Sequence, residues 1–166
     1  MLRVLLTTAL LAFGVLSLIA GAPVAHADHP TRGSMLPEAV ALAELDAMNA
    51  ERSVLNLPTL ILSIDVQDVA IARVAALSDL GLLSHTNPVE HDAVTLLQQA
   101  GIPFNWFGEN IGRSDLPAAD APATLHAAWM ESPAHRANIL DPDFRRVGMS
   151  FLDDGNAIYA AVVFLD

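Results

Sequence analysis

The chain has no cysteine among its 166 residues, so no disulfide can stabilise it. Packing, with or without a bound metal, must hold the fold together. Lysine is also absent: all eight basic residues are arginine, against 19 acidic residues, and the formal net charge is −11 at pH 7. Because such a surface repels phosphate backbones and anionic lipid headgroups, we expect no nucleic-acid partner.

The first 27 residues have the pattern of a signal peptide. Arg3 gives a positive start, residues 4–20 are almost wholly apolar, and Ala25-His-Ala27 offers the small residues of a cleavage site. An uncleaved membrane anchor is the alternative, although small and polar residues dilute the apolar run. We expect cleavage after Ala27, a secreted or cell-envelope location, and no stable membrane anchor afterwards.

The remaining residues suit one domain. Residues 28–35 are polar and predict a flexible lead-in, and residues 36–166 predict a single domain of ordinary size. Helical periodicity covers most of the chain as far as residue 131, and a short strand is predicted near residues 104–112. Two apolar runs then flank Asp153-Asp-Gly-Asn156, which indicates a β-hairpin. Helices followed by a hairpin predict an α+β fold in which helices cover a small sheet.

Three polar residues stand out because of their surroundings. His85 and His135 lie in segments beside proline that are predicted to be irregular, where backbone conformation rather than core packing sets their positions. Glu109 lies in an otherwise apolar segment, so its carboxylate either enters a cleft or pairs with a buried donor. The alternative for Glu109 is a structural role in which it accepts backbone N–H groups.

The other histidines are assigned no chemistry. His26 belongs to the leader and His29 to the lead-in, while His91 and His126 lie on amphipathic helices without a cluster of possible metal ligands. Arg73 lies on a buried helical stripe, where an arginine extends to solvent or pairs with an acid.

The segment that begins at Trp129 is the most chemically dense stretch of the chain. Trp129 is expected to anchor its helix in the core and Asn138 to cap a loop. Arg136 is expected to pair with an acid such as Glu51 or Asp141. Most of this segment is therefore predicted to be framework, with His135 as its candidate site residue.

Several separated motifs occur along the chain in the same order as in a known domain family. They are Asn49-Ala-Glu-Arg52, Leu83-Ser-His85, Gly108-Glu-Asn-Ile111, Trp129, Ser132-Pro-Ala-His-Arg-Ala-Asn-Ile-Leu140 and Val147-Gly-Met149. Together they resemble bacterial members of the CAP superfamily, the SCP/pathogenesis-related-1-like domain, over residues 36–166. The resemblance implies a three-layer α-β-α sandwich with a small central antiparallel sheet.

The resemblance also implies a cleft with two histidines and two glutamates, which binds divalent metal in some members. His85 matches the first histidine, Glu109 matches the glutamate of the Gly-Glu-Asn motif, and His135 belongs to the bacterial form of its motif. We predict that these three residues bind a divalent metal ion or a small ligand, with zinc the most suitable ion for imidazole and carboxylate donors.

The rest of the tetrad stays open. The position of the second glutamate corresponds to Ser132, with Glu131 one residue away, so Glu131, Ser132 or neither completes the set. The second histidine of eukaryotic members corresponds to Ile158 or Tyr159, neither of which is a histidine.

Three functions are consistent with these residues. The favoured one is binding of a metal or small ligand without established turnover. The second is a metal-dependent hydrolase, acting on peptide or cell wall, in which Glu109 activates water; Ser84 and Ser132 lack the G-x-S-x-G context of a nucleophile. The third is a module that binds lipid, sterol or an extracellular host protein, for which Trp106 and Phe107 offer either a binding lip or core packing.

Overall fold

The computed structural model describes residues 33–86 and 91–166, so the predicted signal peptide, His26 and His29 lie outside the described residues. The elements in this part of the chain are β1 Ser34–Met35, α1 Glu38–Val54, β2 Ile61–Leu62, α2 Ile64–Leu80, α3 Ala93–Gln99, β3 Phe107–Ser114, α4 Ala121–Glu131, α5 Pro133–Ile139, β4 Arg146–Asp153 and β5 Ile158–Leu165. None of the helices within these residues combines the length and the apolar character that a membrane span requires.

The sheet is built around β5, which lies between β4 and β3 and is antiparallel to both. β1 and β2 pair with opposite ends of the outer edge of β4, β1 antiparallel and β2 parallel. Alternate residues of β5 face opposite layers, so Val162 packs in the cluster of α1, α4 and α5 while Val163 packs in the cluster of α2 and α3. The predicted three-layer sandwich with a small sheet is therefore confirmed, and all eight residues of β5 are buried.

Two short features depart from the sequence-based expectation. Ser34 and Met35, assigned to the lead-in, pair with Asp153 and Leu152 as an edge strand. Arg136, assigned to an ion pair, is exposed and forms no ion pair within residues 33–86 and 91–166. Both assignments relied on local sequence, whereas β1 exists because of a strand far along the chain.

A buried arginine near the end of α1 joins this helix to distant parts of the chain. The Arg52 side chain is fully buried and donates hydrogen bonds to four backbone carbonyls, those of Pro58, Ile139, Asp141 and Phe144, at 2.8, 2.8, 2.9 and 3.2 Å. Because the carbonyls of Ile139 and Asp141 lie at the end of α5, Arg52 ties α1 to that end and to the segment that enters β4.

A glutamine side chain covers β4 between β1 and β2. Gln67 of α2 donates to the Met149 carbonyl at 2.7 Å and accepts from the Met149 N–H at 3.0 Å, as a neighbouring strand would. This approach requires Gly148, because a Cβ there would collide with the Val66 carbonyl at the start of α2. The start of α2 thus lies directly on β4.

Two side chains cover the outer edge of β3 in the same way. Trp129 of α4 donates its indole N–H to the Ile111 carbonyl at 3.1 Å, and Asn138 of α5 donates to the Glu109 carbonyl at 3.1 Å. Trp129 is also buried in the core, as predicted. The dense segment therefore docks against the strand that carries Glu109.

Candidate functional site

Glu109 forms the centre of the site. Its position in β3 turns the side chain toward α2, where it is 2% exposed. Oε1 accepts from Arg73 Nε at 2.7 Å, and Oε2 lies 2.6 Å from His85 Nδ1. Of the alternatives that the sequence left open, the carboxylate pairs with a cation and an imidazole rather than with backbone N–H groups.

Arg73 links this carboxylate to the loop that carries the histidine. It is 1% exposed on the inner face of α2, and its guanidinium also donates to the backbone carbonyl of Ser84. One side chain thus fixes both Glu109 and the residue before His85. The buried charge of Glu109 is matched by that of Arg73, so the pair brings little net charge to the site.

His85 is held at one nitrogen and open at the other. Its side chain is 57% exposed, and the hydrogen bond to Glu109 raises the pKa of the imidazole above its ordinary value, against a smaller opposing effect of burial. Because Glu109 is already paired with a guanidinium, we assign the Nδ1 proton to His85 as donor. Nε2 has no hydrogen-bond partner within the described part of the chain.

His135 approaches from the opposite layer. The prediction of an irregular segment was wrong for this residue: Pro133 begins α5, and His135 lies in that helix. Asn110, fully buried in β3, donates to the His135 carbonyl at 3.1 Å and accepts from Asn138 at 2.9 Å, so two amides seat α5 against β3. Burial lowers the pKa of the half-buried His135 imidazole, and the nearby positive charge of His85 lowers it further. The two imidazoles therefore lie within electrostatic reach, with His135 favouring its neutral form.

The structure brings the three predicted residues into one region with unequal roles. His85 contacts Glu109 directly, whereas His135 is linked to His85 only through the charge of His85, which lowers the pKa of His135. Residues 33–86 and 91–166 contain no group of three His, Cys, Asp or Glu side chains arranged to hold a metal ion. Arg73 and His85 engage both oxygens of Glu109. Among these three side chains, the atom that remains available as a metal ligand is therefore Nε2 of His85.

The open tetrad positions add no direct contact. Glu131 is exposed at the end of α4, and Ser132 is half-buried at the break before α5; neither bonds to Glu109 or to a histidine within the described residues. Ile158 and Tyr159 are buried in β5. The Ser84 hydroxyl lies 3.3 Å from that of Thr86, and its hydrogen bonds within the described residues do not include an imidazole.

A second carboxylate–imidazole pair was not anticipated from the sequence. Glu44 of α1 and His126 of α4 lie 2.8 Å apart, with side chains 3% and 15% exposed. Sequence reasoning gave His126 no partner. The available signal was Glu44 itself, which shares the buried face of α1 with Ala41 and Met48 and therefore needs a partner.

The two aromatic residues proposed as a binding lip have separate roles. Phe107 is half-buried and packs against the α2–α3 core, with its ring 6.1 Å from that of Phe104. Trp106 is 57% exposed and donates its indole N–H to Asp141 at 3.2 Å. Phe107 therefore belongs to the core, whereas Trp106 is exposed at the surface.

Comparison with known proteins gives one family and bacterial relatives. The family model described as CAP, the cysteine-rich secretory protein family, matches residues 45–165. The uncharacterized protein YkwD of Bacillus subtilis is 28% identical over 112 residues, 68% of this chain but only 42% of YkwD.

Solved structures show the same fold. An outer surface protein of Borrelia burgdorferi aligns with a TM-score of 0.71 at 18% identity, covering 81% of this chain and 98% of the Borrelia protein. An extracellular protein containing an SCP domain from Bacillus anthracis aligns with a TM-score of 0.65 at 27% identity, covering 80% of this chain and 44% of that protein.

Proposed function

Because the chain belongs to the CAP family of cysteine-rich secretory proteins, we propose that it is an exported CAP-domain protein whose His85 and His135 imidazoles bind a divalent metal ion. The observation that carries this proposal is the orientation of His85. Its Nδ1 is bound to buried Glu109 while Nε2 is open. Histidines that ligate metals are commonly oriented by a carboxylate on the other ring nitrogen, which fixes the tautomer and raises the basicity of the ligand.

The donor set suits zinc. Two imidazoles are suitable ligands for Zn²⁺, and the remaining positions are left to water or to a small ligand. In this arrangement Glu109 acts through His85 and is a positioning residue, in contrast to the direct ligand expected from the sequence. Arg73 supports it by fixing the carboxylate and the Ser84 carbonyl together. No turnover is proposed.

Export is proposed on two grounds. The first 27 residues have the signal-peptide pattern. Two proteins of the same fold are described as an outer surface protein and an extracellular protein. The activity and partners of the longer relatives are not assigned to this chain, which covers 42% and 44% of two of them.

Isothermal titration of metal-free protein with zinc chloride tests the site. We expect His85→Gln and His135→Gln each to weaken binding by at least about tenfold, and Glu109→Gln to weaken it by about 10- to 100-fold through loss of the oriented tautomer. His126→Asn changes a histidine outside the site and should bind like wild type. Because binding requires neutral imidazoles and the pKa of His85 is raised, affinity should fall as the pH drops through that pKa.

Two results would contradict the metal proposal. One is the absence of saturable binding by wild type, and the other is equal affinity in wild type and both imidazole variants. Circular dichroism of each variant separates loss of binding from loss of fold.

Lipid binding is the second candidate, favoured by a groove between α1 and α4. The groove has a volume of ≈ 520 Å³ and its walls are mostly apolar, formed by Pro37, Ala39, Val40, Ala43, Ala47, Ala118, Ala119, Pro122 and Ala123, with Glu44 and His126 at its polar part. A volume of this size accommodates a small apolar ligand.

Filling the groove tests this candidate. Ala43→Phe is expected to weaken binding of a fluorescent long-chain fatty acid by at least about tenfold, or 1.4 kcal/mol, because the ring occupies the groove. Ala127→Phe, at an exposed position of α4 that does not line the groove, is the matched control. Equal binding by both variants, or none by wild type, would exclude this groove as the fatty-acid site.

A further inference from the structure

The contact between Glu44 and His126 joins two helices that are distant in sequence. Glu44 Oε1 lies 2.8 Å from His126 Nδ1, and the two residues are 82 positions apart. Within the described part of the chain, this is the one hydrogen bond between α1 and α4. The rest of the α1–α4 contact is apolar packing that includes Ala41, Leu125 and Trp129.

The surroundings leave the carboxylate dependent on this imidazole. The groove-lining residues include no lysine or arginine, so the imidazolium of His126 supplies the positive charge beside Glu44 there. The charged groups that face His126 are Glu44 and Glu51, both on α1. On its own helix, Asp120 lies at the start of α4 and is exposed. Every charge around the imidazole therefore favours its protonated form.

We propose that Glu44 and His126 form a proton-operated latch, which holds α1 against α4 while the imidazole is protonated and releases this part of the groove when it is not. Release follows from geometry: within residues 33–86 and 91–166 the imidazolium is the one cation that acts on the Glu44 carboxylate, which is 3% exposed on the inner face of α1 and is left unpaired when His126 loses its proton. An unpaired buried charge is costly, so separation of the helices and entry of water become favourable.

The direction of the pH effect is the same for both groups. The hydrogen bond to Glu44 raises the pKa of His126, and burial raises the pKa of Glu44, both relative to their ordinary values. A group with a higher pKa in the packed state binds protons on packing, so its stabilising effect is lost as pH rises. The latch is therefore closed below the ordinary pKa of histidine and opens as pH rises through the raised pKa of His126.

The latch does not depend on a lipid occupying the groove. With rising pH, α4 and the facing side of α1 should loosen while the sheet does not, because β5 is paired along its length with β3 on one side and with β4 on the other. If the groove does hold a ligand, the latch controls access to it.

Hydrogen exchange measured by mass spectrometry tests the latch. Metal-free full-length protein is compared from about pH 5 to about pH 9, with exchange corrected for its intrinsic pH dependence. Protection of α4 relative to β5 should fall by about tenfold for each unit by which the pair raises the pKa of His126. NMR titration of the His126 ring in wild type should give the same midpoint.

Two variants separate the latch from general stability. His126→Asn retains a donor to Glu44 but cannot titrate, and Glu44→Gln retains an acceptor but carries no charge; each should abolish the pH response of α4. His91→Asn, which removes a titratable imidazole two residues before α3 on the other side of the sheet, should leave that response unchanged. Unchanged protection of α4 across the range, or a response that survives in His126→Asn, would overturn the latch.

Discussion

Arg73→Met is expected to lower the free energy of unfolding by about 3–5 kcal/mol. The substitution leaves Glu109, whose side chain is 2% exposed, without its guanidinium, and it removes the donor to the Ser84 carbonyl. His85 cannot replace the arginine, because its side chain is 57% exposed and solvent screens its charge. Equilibrium denaturation with urea at neutral pH measures the loss.

A double variant distinguishes a lost ion pair from lost packing. Removing one member of a buried pair strands a charge, whereas replacing both with apolar side chains is much less costly. Arg73→Met with Glu109→Leu should therefore be more stable than Arg73→Met alone. If the double variant is instead destabilised by the sum of the two single effects, packing rather than charge explains the result.

Arg52→Met is expected to be comparably severe, at about 3–5 kcal/mol, for a different reason. The substitution strands no side-chain charge, but it leaves four backbone carbonyls without their donor, two of them at the end of α5. Arg52→Lys should recover part of the loss, because one ammonium cannot match the spread of the guanidinium. Thermal and chemical unfolding of the variants measure the effect.

Arg136→Met serves as the matched control for Arg52. Arg136 belongs to the dense segment that begins at Trp129 but is exposed, so its replacement should change stability by no more than about 0.5 kcal/mol. Equal destabilisation by Arg52→Met and Arg136→Met would contradict the prediction, because only Arg52 donates to the four buried carbonyls.

Much of the fold was predictable because short local sequences determine where its helices end and its chain turns. Gly81, with a φ of 60°, ends α2 in the left-handed conformation that glycine adopts readily. Gly155, with a φ of 88°, lies in the turn between β4 and β5. In contrast, β1 and β2 have two residues each and no periodicity to detect. They exist because β4, more than 80 residues later, offers an edge to pair with.

The site divides in a similar way. Glu109 and His85 were recognisable as polar residues in apolar or irregular surroundings, and the structure places them in contact. The orientation of the imidazole and the second bond of Arg73 depend on how α2 meets β3, which spacing does not determine. His126 gave no local signal, because its partner lies on a helix 82 positions earlier.

The side chains that cover the sheet edges affect how this protein behaves among copies of itself. Gln67, Trp129 and Asn138 occupy backbone groups of β4 and β3 that would otherwise pair with a strand from another molecule. These three side chains belong to α2, α4 and α5, so the edges of the sheet become protected only when these helices pack against it. Until then β5, an eight-residue apolar strand without proline or charge, has the composition of an aggregation-prone segment. The hazardous period for this disulfide-free chain is therefore its folding, and the folded sheet resists growth at both edges.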